Sequence, residues 1–151
     1  MSQTSEIAPL DRAGLDDFPV RTHDKLRYAD TDRQGHVNNA VFATMLETGR
    51  VEVLYSTDAP LAAPGCAFVI ARLTLDFRSE LTWPGRVEIG TRVAKIGTSS
   101  ITLEQGLFQN GACAATATTV IVHVNERAGR SEPLSEPAIQ ALEPLAGAPT
   151  P

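Results

Sequence analysis

The feature that most constrains this chain is a single change of hydrophobic period. Between Asn39 and about Tyr55, Phe42, Met45, Leu46, Gly49 and Val53 recur at i, i+3, i+4, i+7 and i+11, which is one face of an α-helix. A second apolar arc of Ala40, Ala43, Val51 and Leu54 leaves only Thr44, Thr48 and Glu52 as a wet strip, so the pattern predicts a helix hidden over most of its circumference. Gly49 in its middle costs about 1 kcal/mol against Ala and predicts close approach to something flat.

After this helix the period becomes two. Val69, Ala71, Leu73, Leu75 and Phe77 alternate with Arg72, Thr74, Asp76 and Arg78, the signature of a half-buried strand. Further strands are expected at Arg86 to Ile96, Ile101 to Gln109 and Ala112 to Asn125, set off by Trp83-Pro84-Gly85, Gly97-Thr98-Ser99 and the hairpin signal Asn110-Gly111. With Phe18 to Tyr28 as a first strand, the order predicts an α+β domain: one long central helix wrapped by a roughly five-stranded antiparallel sheet. Ala, Thr and Val on both faces of the last strand let a helix lie close. Open strand edges need a neighbour, which predicts a homodimer or a dimer of dimers.

Composition sets the outer bounds. Of 151 residues, 42% are hydrophobic and 21% charged, the balance of one soluble domain, here 18–128. Residues 1–17 are polar and acidic and read as a flexible arm; 129–151 read as a Pro/Ala-rich tail with one short helical turn around Ala138 to Leu142. A net charge of -5 argues against nucleic acid as a partner. Cys66, Cys113, His23, His36 and His123 stand at no metal-ligand spacing, so neither a metal nor a disulfide is expected. No stretch approaches the roughly 18 apolar residues of a membrane span, and the expectation is a cytoplasmic protein with reduced thiols and no membrane insertion.

Chemistry concentrates in the loop Tyr28-Ala29-Asp30-Thr31-Asp32-Arg33-Gln34-Gly35-His36-Val37-Asn38-Asn39, which runs into the helix. One reading is an elaborate N-cap, with Asn38 capping and Asp32 facing the positive end of the helix dipole. The other is an acyl-transfer site. Unpaired N–H groups at a helix start polarise a carbonyl, and a carboxylate opposite them attacks it or activates a water. Glu47 has two readings as well, a structural carboxylate paired with Arg50 or a buried carboxyl able to transfer protons.

This loop, with Glu47 and Arg50 after it, resembles the opening of the hotdog-fold acyl-CoA thioesterases of the 4-hydroxybenzoyl-CoA thioesterase type. Trp83-Pro84-Gly85 and Lys95-Ile96-Gly97-Thr98-Ser99-Ser100 look like that family too. The resemblance implies Asp32 as the catalytic carboxylate, the Asn39 backbone N–H as the polarising donor, and a site at a dimer interface with no metal. Coenzyme A enters as part of the acyl-CoA substrate and no other cofactor is implied. His36 is a candidate helper, and Gly35, Asn38, Lys95, Ser99 and Ser100 are candidate substrate contacts. The loop is also similar to the D-x-N-x-H segment of plant acyl-carrier-protein thioesterases, except that Gln34 stands where they have Asn. Rival readings are a hydratase or dehydratase on the same fold, for which the Asp32 to His36 spacing is unsuited, and a non-catalytic acyl-thioester binder, which gains nothing from a carboxylate aimed at a carbonyl.

Overall fold

A computed structural model describes residues 7–55 and 59–147. The helical period is realised as α1, Asn39–Tyr55, which buries Phe42, Met45, Leu46, Gly49, Val53 and Leu54. The period-two segments become β1 (Val20–Lys25), β2 (Cys66–Phe77), β3 (Arg86–Ile96), β4 (Ser100–Gln109) and β5 (Ala112–Asn125), with a two-residue β6 (Arg130–Ser131) beside the end of β5. The strands lie in the order β1-β3-β4-β5-β2, every neighbouring pair antiparallel. The β4–β5 hairpin turns at Asn110 and Gly111, both at positive φ, as a type I′ turn requires.

The sheet curls around α1. Phe42, Met45 and Leu46 pack on Val87, Ile89, Leu107, Ala115 and Ala117, while Val53 and Leu54 pack on Val93, Ile101, Leu103 and Ile121. Gly49 sits where the helix backbone comes closest. A Cβ there would lie 2.6 Å from Gln105 Nε2 and 2.7 Å from Ile89 Cγ2, so the flat partner expected from the sequence is the β3–β4 surface.

The ends of the chain depart from expectation. Residues 7–17 are not a loose arm: two single 3₁₀ turns, Leu10–Arg12 and Leu15–Asp17, lay Ala8, Leu10, Ala13 and Leu15 against Phe18 and Phe108. Arg92 ties this segment down, donating from Nη2 to the Ala8 carbonyl at 2.7 Å. The apolar residues responsible follow no period, and so gave no signal. In the tail, α2 (Glu136–Leu142) is capped by Ser135, whose Oγ accepts the Ala138 N–H at 3.2 Å. It seats Ala138 and Leu142 in the core with Leu134. Residues 1–6 of the expected arm and 148–151 of the expected tail lie outside the described residues. Among the described residues, no helix is long and apolar enough to cross a membrane.

Candidate active site

The loop before α1 is built on Asp30. Its side chain is 2% exposed and accepts the Arg27 backbone N–H at 2.8 Å and the Arg27 guanidinium at 2.8 and 3.2 Å. Its carbonyl takes the Asn38 N–H at 2.8 Å, which closes the loop across the helix start. Hydrogen bonding from Arg27 holds the Asp30 carboxyl below the usual carboxylate range, against a burial cost that works the other way. A depressed folded pKa stabilises the fold above the ordinary carboxylate range and loses that contribution as the pH falls through the folded value. Asp30→Asn is therefore expected to lower the melting temperature at neutral pH, with the gap to wild type narrowing in acid. Thermal melts across a pH series check this.

Asp32 is held differently. Its N–H donates to the His36 carbonyl at 2.7 Å and its carbonyl accepts the Gly35 N–H at 3.1 Å, a tight turn in which Gly35 takes φ +82°. Oδ1 accepts the Gln34 and His36 N–H groups at 2.8 and 3.1 Å, while Oδ2 has no hydrogen-bond partner among the described residues. One oxygen fixes the carboxylate and the other is open. His36 pairs by backbone with Thr82, and its Nε2 lies 3.0 Å from Glu80 Oε2.

Asn38 is the cap the sequence suggested: its Oδ1 accepts the Ala40 N–H at 2.9 Å. The next amide, that of Asn39, has no acceptor among the described residues. Asp32, His36, Asn39, Phe42, Phe77 and Glu80 line one cavity of about 350 Å³, with Arg78 beside them. Phe42 and Phe77 meet edge to face at 5.0 Å and form its apolar wall. Glu80 and Phe77 were not singled out for this cavity by sequence. Nothing local marks the end of β2 as lying beside the loop.

Other expected site residues stand elsewhere. Glu47 is exposed, not buried, and with Arg50, Val51, Tyr55, Phe68 and Ile70 it lines a second cavity of about 300 Å³ further along α1. Of its two readings, a carboxyl buried within the single chain is not what is observed, because the sheet covers only part of the helix circumference. Lys95, Ser99 and Ser100 lie at the opposite end of the sheet within the same chain. Ser100 pairs with Val122 and Phe77 with Ala115, seven residues or about 23 Å apart along β5. Arg92 is buried against Glu104 at 2.9 Å and takes no part.

Residues 26–142 match the thioesterase-like superfamily, and the chain belongs to it. It is an enzyme of the thioesterase class with the hotdog fold. A thioesterase from Thermus thermophilus, complexed with coenzyme A and Zn, is 32% identical, with 89% of this chain and 98% of that one covered and a TM-score of 0.75. A predicted thioesterase from Bacillus stearothermophilus is 25% identical, over 86% of this chain and 98% of its own, also with a TM-score of 0.75. The PA5185 protein of Pseudomonas aeruginosa shares the fold, with a TM-score of 0.80 at 24% identity over 91% of this chain and 98% of that one. No curated protein sequence matches the chain.

Proposed function

We propose that the chain hydrolyses acyl-CoA thioesters, with Asp32 as the reacting carboxylate. The observation that carries this reading is the cavity of about 350 Å³ lined by both Asp32 and Asn39, whose carboxylate Oδ2 and helix-start amide have no partner among the described residues. With the thioester carbonyl oxygen on the Asn39 N–H, the carbonyl carbon is polarised toward Asp32. Asp32 either removes a proton from an attacking water or adds to the carbon itself. In both routes negative charge collects on the oxygen held by the helix start, the C–S bond breaks, and coenzyme A leaves as a thiolate that takes up a proton; where Asp32 itself adds, water then cleaves the acyl–aspartyl anhydride to the free acid and restores the carboxylate. Glu80 orients His36 at the cavity edge, and Arg78 supplies positive charge near its mouth. The coenzyme A complex of the Thermus relative supports the choice of thiol.

The reading includes a second copy of the chain. β2 is an edge strand with Ile70 51% and Phe77 52% exposed, and beside it Val51 and Tyr55 of α1 are exposed as well. A homodimer or dimer of dimers covers this apolar strip. Antiparallel pairing of two β2 edges also brings the Lys95, Ser99 and Ser100 end of one sheet toward the Asp32 end of the other. Both cysteines are free thiols, in keeping with a reducing compartment such as the cytoplasm.

Release of free thiol from a panel of aliphatic and aromatic acyl-CoA substrates tests the activity. No release above the uncatalysed rate from any of them would overturn the reading. Light scattering tests the assembly: wild type is expected at twice or four times the chain mass, and Ile70→Asp is expected to shift it toward the monomer with loss of activity. A wild-type monomer at micromolar concentration would remove the dimer.

A further inference from the structure

We propose that Cys66, His123 and Glu132, at the end of the sheet remote from Asp32, form a binding site for one zinc-class divalent cation. Their ligand atoms, a thiol sulfur, a ring nitrogen and a carboxylate oxygen, all lie within 4.8 Å of one another. Three separate stretches of chain supply them: the first residue of β2, the closing residues of β5, and the segment that follows β6. No sequence spacing announces such a set, because the contact is made by strand pairing.

The surroundings fit metal ligation. Cys66 ends a tight turn in which its N–H donates to the Ala63 carbonyl at 2.9 Å, with Pro64 and Gly65 (φ +77°) at the central positions of a type II turn. The cysteine is thus placed by backbone, not by a flexible loop. His123 is fully buried, and its Nδ1 lies 2.9 Å from the Glu132 carbonyl. A proton on Nδ1 donated to that carbonyl leaves the Nε2 lone pair as the ligand, the tautomer lock that metal-binding histidines commonly use. Nε2 accepts the Ala63 N–H at 3.1 Å, a part-buried bond that an arriving cation displaces.

The thiol and the carboxylate need a cation to coexist as anions. Cys66 Sγ donates to Glu132 Oε2 at 2.7 Å, and Asn125 Nδ2 braces Oε1 at 3.2 Å. In the pair alone the sulfur keeps its proton, which it donates to Glu132. A divalent ion between them displaces the thiol proton to solvent and joins both charges. Mixed S, N and O donors suit zinc and exclude magnesium and calcium, which take oxygen. The partial exposure of Cys66 and Glu132 leaves a solvent path for entry and a fourth position for water. Leu134 and α2 follow Glu132 directly, so the ion fastens the segment that seals the second half of the core.

The test uses the untagged full chain, stripped with chelator, reduced, and titrated with Co²⁺. Wild type is expected to bind one Co²⁺ per chain with tetrahedral d–d bands and a near-ultraviolet thiolate-to-cobalt charge-transfer band, and Zn²⁺ is expected to displace it. Cys66→Ser should abolish the charge-transfer band, and Glu132→Gln should weaken binding about tenfold or more. Cys113→Ser should leave the spectrum unchanged. Absence of saturable binding, an octahedral spectrum without the charge-transfer band, or a band that survives Cys66→Ser would overturn the site. Thiol release from acyl-CoA is a separate readout, so failure here leaves the thioesterase reading intact.

Discussion

Asp32→Asn is expected to fold, assemble and bind acyl-CoA as wild type does while losing about 10²–10⁴-fold in kcat, the range a positioned general base supplies. The amide keeps an oxygen where Oδ1 accepts the Gln34 and His36 N–H groups, so the turn is preserved. It removes the negative charge at the open Oδ2 position, the only part of the side chain that the surrounding loop does not use. KM should change little, because the interaction lost is one made in the transition state. Two comparisons sharpen the result. Asp30→Asn should act mainly on stability, since that carboxylate is consumed by Arg27. Asn39→Pro should lower kcat without unfolding the helix, because the first helical position tolerates proline and only one N–H is deleted. Near-normal turnover by Asp32→Asn would overturn the assignment and leave Glu47, in the neighbouring cavity, as the carboxylate to test.

The sequence was most legible where structure is local. The cap at Asn38 and the helix to Tyr55 both follow from residues within a few positions of one another, and Asp32 lies close to that window. What depends on strand pairing was hidden. Glu80 reaches His36 because the end of β2 passes the loop, and Lys95 to Ser100 fall at the far end because the β4–β5 register puts them there. One reading of Glu47 needed it buried, yet within the chain the sheet does not reach around that side. Phe18 and Phe108 gather the first described residues without any periodic signature.

Gly49→Ala is the second large effect expected, and here two principles oppose each other. Helix propensity alone favours Ala by about 1 kcal/mol. The added methyl, however, would lie 2.6 Å from Gln105 Nε2, 2.7 Å from Ile89 Cγ2 and 2.9 Å from Thr91 Oγ1, all on buried side chains. Overpacking of this kind costs about 1–3 kcal/mol. Gln105 cannot simply turn away, because its Nε2 donates to the Leu46 carbonyl at 2.9 Å and to Thr91 Oγ1 at 3.0 Å, and losing such buried bonds costs about 1–3 kcal/mol more. The steric side wins, for a net destabilisation of about 3 kcal/mol, or roughly 6–12 °C in Tm for a domain of this size. Urea unfolding and thermal melts measure it; a midpoint equal to or above wild type would show that α1 has room to lift. Lifting has its own consequence, because the Asn39 amide rides on the same rigid helix while Asp32 is fixed by its turn. The variant should therefore lose kcat even at temperatures where it remains folded.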